Sequence, residues 1–177
     1  GIQIYELDWF GQVERELYIE EDVDSLRLLE IGFDDSTYHI YISDRLILEK
    51  YDIDFDSFTL GDKVLVSETS EQFAVSGQAV IVGDDDITEI IYKGEIVETF
   101  TGYEDLKRAN ILYKDDKILA SMDTVKGSSI ILVGGESSQR YQLIDPIQEL
   151  TLGYIQDMYL EDDLITVISS KYRFGED

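Results

Sequence analysis

"YKDDKIL", residues 113–119, decides the fold. Two acids, Asp115 and Asp116, stand between apolar runs. Small polar residues that tolerate a left-handed backbone are what a tight β-hairpin turn requires. The pattern recurs as "YISDRLI" from Tyr41 and "YLEDDLI" from Tyr159, and one residue shorter as "YKGEIV" from Tyr92. "TLGDKVL" from Thr59 is a weaker copy without the tyrosine. Further turn signals lie between them: "VGDDD" at 82–86, "VKGSS" at 125–129, "VGGESSQ" at 133–139 and "LGY" at 152–154. Such punctuation, about every ten residues from residue 40 onward, predicts an antiparallel meander of short strands.

Side-chain alternation agrees. In "STYHIYIS", Tyr38, Ile40 and Ile42 fall on one face of a strand, and His39, Tyr41 and Ser43 on the other. "IILV" at 130–133 and "LITVI" at 164–168 are unbroken apolar runs, the pattern of strands covered on both faces. Trp9 and Phe10 read as an anchor of the first strand in the core. Helical signals are few. Residues 20–30 form either a short amphipathic helix or a strand entering "LLEIGF". Single helical turns are expected at 103–109 and at 145–150, the latter with Asp145 as cap and Pro146 at the favoured first position.

The block at 109–144 runs strand, acidic turn, strand, glycine turn, strand, loop, strand. It resembles one blade of a β-propeller, an architecture that many unrelated families share. The length suits a small propeller of about four blades, and equally an up-and-down barrel or a two-sheet sandwich. The expectation is therefore an all-β fold: an antiparallel meander of short strands, propeller-like or barrel or sandwich, with at most one or two short helices. Residues 1–177 read as a single domain, with 1–35 a candidate separate strand or helix segment.

Composition narrows the function. The chain holds 39 acidic and 14 basic residues, a net charge of −25. Nucleic-acid binding needs clusters of Lys and Arg, which are absent, and the same argument disfavours anionic membrane surfaces. There is no apolar run long enough to insert in a membrane as a helix. No cysteine is present, so disulfides, thiolate metal sites and a cysteine nucleophile are excluded. Gly1 in place of Met reads as the scar of a cleavage, from which an exported or cell-envelope protein is expected.

The acidic clusters are the candidate metal ligands. Asp52, Asp54 and Asp56 match positions 1, 3 and 5 of an EF-hand calcium loop, but Ser57 replaces the glycine at position 6 and Lys63 the glutamate at position 12. That loop is therefore excluded. The three acids read as the wet face of a strand, with a weak calcium site as the alternative. Asp84, Asp85 and Asp86 are a second candidate calcium cluster. Asp115–Asp116 and Asp162–Asp163 are explained by hairpin turns. His39, the only histidine, reads as a strand residue, since no nucleophile motif accompanies it. Tyr41, Tyr92, Tyr113 and Tyr159 recur just before turns and are the candidate partner-binding residues, each offering an apolar body and a polar tip. No cofactor is expected unless it is calcium.

These observations point to a non-catalytic, acidic, β-rich binding module with a basic protein or a carbohydrate as partner. The alternatives are a calcium-stabilised extracellular domain and a carbohydrate- or peptide-acting enzyme hidden among the acids.

Overall fold

A computed structural model describes residues 1–21, 28–34, 36–44, 46–84, 86–101, 106–124, 127–133, 139–142, 155–161 and 164–169. Every regular element among them is a strand, and every pairing is antiparallel. The chain divides into two units, Gly1–Ser70 and Glu71–Asp177.

The first unit holds a hairpin of β1 (Ile2–Leu7) and β2 (Val13–Ile19), then a four-stranded meander of β3 (Leu28–Asp34), β4 (Thr37–Ser43), β5 (Leu48–Asp54) and β6 (Thr59–Ser67). The alternation in β4 falls as read from sequence. Ile40 and Ile42 join Tyr51, Ile53 and Phe58 in a cluster that Ile19 of the hairpin completes, with Ile2, Ile4, Leu17 and Tyr38 packed around it. The hairpin thus lies on one face of the meander, and burial of each such aliphatic contributes about 1.5–3 kcal/mol.

The second unit repeats the plan. One meander contains β7 (Gln72–Ser76), β8 (Ala79–Gly83), β9 (Ile87–Tyr92) and β10 (Glu95–Thr101). The next contains β11 (Leu106–Lys114), β12 (Lys117–Thr124), β13 (Gly127–Val133) and β14 (Gln139–Gln142), and the hairpin of β15 (Ile155–Glu161) and β16 (Leu164–Ser169) follows. Strand β12 sits between layers. Ile118, Ala120 and Met122 pack on Ala79, Ile81 and Ile90 of the preceding sheet. Leu119 points the other way, onto Ile155, Met158 and Leu160. Ile130 and Ile131 divide likewise, so the apolar run at 130–133 is covered on both faces.

The opening stretch is the turn it promised. Lys114 pairs with Lys117, and Asp115 and Asp116 between them take φ of 52° and 58°. "YKGEIV" closes in the same way, with Lys93 at φ 53° and Gly94 at φ 82°. Two successive left-handed residues give the type I′ turn, whose twist matches that of the strands it joins.

Several expectations fail for local reasons. "TLGDKVL" is not a turn but part of β6. Tyr51 pairs with Lys63 and Ile53 with Leu60, so Gly61 and Asp62 bulge opposite Asp52. "YISDRLI" spans the longer β4–β5 connection and not a tight hairpin. The run at 164–168 is not doubly covered: Leu164 and Ile168 are exposed, while Ile165 and Val167 pack inward. From Leu106 the helical turn expected at 103–109 is strand; for 20–30 the strand alternative holds from Leu28, where β3 begins, and 22–27 lie outside the described residues. The turn expected at 145–150 lies outside the described residues. No sheet closes into a barrel among the described residues.

Trp9 and Phe10 reverse the expectation completely. They occupy the tip of the β1–β2 hairpin at 96% and 86% exposure. Apolar character places a residue in the core only if the chain turns it inward, and here the strand ends two residues too early.

Candidate functional site

The acidic residues fasten turns. The Asp44 carboxylate accepts the backbone N–H groups of Leu46 at 2.8 Å and Ile47 at 3.0 Å. Asp84 does the same with Asp86 at 2.8 Å and Ile87 at 2.9 Å. At the hairpin tip Asp8 accepts from Phe10 and Gln12, both at 2.8 Å. Asp54 accepts from the backbone N–H and the hydroxyl of Ser57, both at 2.7 Å. Each is a side chain imitating a backbone acceptor to close a turn. The N–H donors of Ile47 and Leu46 hold the Asp44 carboxyl below the usual range, and those of Ser57 do so for Asp54.

Of the first candidate metal cluster, Asp52 is therefore half-buried in an ion pair, Asp54 closes a turn, and Asp56 is exposed in that turn. Of the second, Asp84 closes a turn, Asp86 is exposed, and Asp85 lies outside the described residues. No group of three acidic or histidine side chains is arranged to hold a metal ion among the described residues.

His39 is buried between two carboxylates. Its Nδ1 lies 2.7 Å from Oδ1 of Asp52 and its Nε2 3.1 Å from Oδ2 of Asp34. Lys50 donates to both oxygens of Asp52, at 2.9 and 3.0 Å. Burial works to raise the Asp52 carboxyl, but the donors from His39 and Lys50 outweigh it and leave the group below its ordinary value.

Tyr41 belongs to the first unit, and Tyr92, Tyr113 and Tyr159 to the second. Tyr41 is 1% exposed, and burial first, then the carboxylates of Asp52 and Asp34, push its phenol far up. A partner cannot reach a side chain so enclosed, which corrects the placement of Tyr41 among the surface residues. Tyr92 and Tyr113 are brought together, stacked at 4.8 Å with an interplanar angle of 30°. The Tyr92 hydroxyl donates to that of Tyr113 at 2.7 Å, which donates to Asp116 at 2.9 Å. Tyr159 is half exposed, with Lys114 Nζ 5.0 Å from its ring centre.

The residues that best fit a binding role were missed by sequence reading. Trp9 and Phe10 project from a turn that four hydrogen bonds hold: the two to the Asp8 side chain, Asp8 N–H to Gln12 O at 2.9 Å, and Gly11 N–H to Asp8 O at 3.0 Å. Gly11 supplies the left-handed backbone, φ 80°, that the turn needs. Behind the tip, Arg15 pairs with Glu6 and donates to the backbone oxygens of Phe55 and Asp56 at 2.8 and 3.0 Å, with its guanidinium 4.7 Å from the centre of the Phe58 ring. The sequence signal was an aspartate followed two and three residues on by an aromatic and a glycine. The chain matches no protein-family model, and no curated protein matches it significantly.

Proposed function

We propose that this chain is a non-catalytic binding module that docks a basic protein partner. The observation that carries the reading is the Trp9–Phe10 tip, an aromatic pair held in solvent by a rigid turn. Aromatic side chains of this kind anchor interfaces, because they bury much area for little lost freedom. The charge of −25 sets the partner's sign, since complementary fields steer encounter and discriminate against like-charged proteins. The involvement of the single histidine with Asp34 and Asp52 supports a module without chemistry of its own. Within the second unit, a blade-like stacking is supported by two consecutive four-stranded meanders packed on each other, the later of which is covered on both of its faces.

Trp9 is the only tryptophan, so its fluorescence reports the tip alone. Titration with a tryptophan-free basic copolymer of Lys and Leu is expected to shift its emission to the blue, with affinity falling steeply as salt rises. An emission unchanged by saturating copolymer overturns the reading.

A further inference from the structure

The meander β3–β6 is covered on one face only in part. At the β2 side, Arg15 reaches the backbone of Phe55 and Asp56, and Glu21 just beyond β2 accepts from Tyr51 at 2.5 Å and pairs with Lys63 at 2.9 Å. Strand β2 therefore lies over β5 and β6. Ile2 and Ile4 of β1 pack into the cluster containing Ile40 and Ile42, which puts β1 over β4. The next column is β3, where the Tyr38 and Phe55 rings border Phe33 at 4.8 and 6.0 Å but leave the column half exposed. Leu29, Ile31 and Phe33 pair in register with Ile42, Ile40 and Tyr38 and so share their face. Yet they are 54%, 59% and 51% exposed. Beside them runs the open edge of β1, which pairs only with β2 among the described residues.

An apolar column continuous with a packed interface, next to a strand edge that no described residue pairs with, has the shape of a missing strand. The two features ask for the same occupant: backbone hydrogen bonds to β1 and alternate apolar side chains onto β3. Residues 1–70 carry 18 acidic and five basic residues, so a second copy of this acidic unit is disfavoured and a cationic segment favoured.

We infer that the edge of β1 and the Leu29–Ile31–Phe33 column form a strand-docking site for an extended segment of a partner protein that alternates apolar residues with Lys or Arg. The inference rests on the basic-partner reading above and assigns it a place.

The test uses three fluorescein-labelled octapeptides: alternating Lys and Val, the same peptide N-methylated at alternate amides, and a Lys/Ser peptide of equal charge. Fluorescence anisotropy at about 150 mM salt reads affinity where long-range attraction is screened. The Lys/Val peptide is expected to bind at least about tenfold more tightly than the other two, and Ile31→Gln or Phe33→Gln to remove that advantage. Both positions are half exposed, circular dichroism of each variant checks that the fold is retained, and Leu164→Gln on the other unit serves as the control without effect. Amide hydrogen exchange of β1 is expected to slow when the Lys/Val peptide is bound. Equal binding of the Lys/Val and Lys/Ser peptides, or indifference to both substitutions, overturns the strand site and leaves the acidic-module reading standing. Failure of all three peptides to bind at low salt overturns both.

Discussion

Nδ1 of His39 and Oδ1 of Asp52 face each other at 2.7 Å across a registered pair of β4 and β5. The imidazole is almost wholly buried, so this contact replaces the water it has lost. Asp52→Ala leaves a buried ring nitrogen without that partner and is expected to cost about 1–3 kcal/mol. Asp52→Asn keeps an acceptor and is expected to cost less. Urea melts of the two variants give the ordering, and equal losses contradict the role assigned to this contact.

Acid stability follows from the carboxylates with lowered pKa. Glu6, Glu21, Asp44, Asp52 and Asp54 all sit below their ordinary values of 4.5 or 3.8. A depressed carboxylate stabilises the fold above its unfolded pKa, and the effect is lost as pH falls through the folded one. Stability is expected to fall below about pH 4. At the alkaline end the signs reverse. Tyr41, Tyr51 and Tyr113 are raised above 10.0, so they favour the fold while neutral and lose that contribution as pH climbs past 10.0. Denaturant midpoints across the pH range check both limbs.

Leu119 is fully buried between two sheets, and Leu164 is exposed on the outer face of β16. Leu119→Ala is expected to destabilise by about 2–5 kcal/mol through lost contacts and a residual cavity. Leu164→Ala is expected to fall within about 0.5 kcal/mol of the parent. Similar losses at both sites, measured by thermal melts, argue against the one-sided covering of the last hairpin.

Lys93 occupies a left-handed position next to Gly94. Asparagine is at ease there, and Asn–Gly is the favoured pair for this turn. Lys93→Asn is expected to stabilise by about 0.5 kcal/mol, read as a higher melting midpoint. A lower midpoint would show that the Lys93 ammonium above the Tyr92 ring, 5.2 Å from its centre, matters more than backbone strain.

Calcium provides a fifth measurement. The candidate acids Asp52, Asp54 and Asp84 already accept bonds from the protein's own donors. Calcium chloride and sodium chloride at matched ionic strength are expected to raise the midpoint alike, through screening of like charges. A rise of several degrees with calcium alone restores these acids as cation ligands.

The class of fold was legible because strand alternation and turn chemistry are local. Tyr38 to Ser43 and the Asp115–Asp116 turn carry their own instructions. What failed depends on distant parts of the chain. Whether Trp9 is core or tip depends on where the hairpin folds back. Gly61 and Asp62 could serve a turn or a bulge, and only the register against Asp52 decides. The unbroken apolar run in β16 is silent about whether a second layer exists to cover it. The turn role of Asp8, Asp44 and Asp84 was written in their spacing, but a count of acids drew attention to charge instead.

At Asp8 and Asp84 that turn role asks for an acceptor oxygen, whereas at Asp44 the charge adds to it, since the N–H donors hold that carboxyl below the usual range. Asparagine offers the same oxygen, so Asp8 and Asp84 are places where the chain can drift from acid to amide and keep its fold. Net charge and architecture are thereby uncoupled at these positions. Selection on the surface field can proceed at the turns without rewriting the strands that they join.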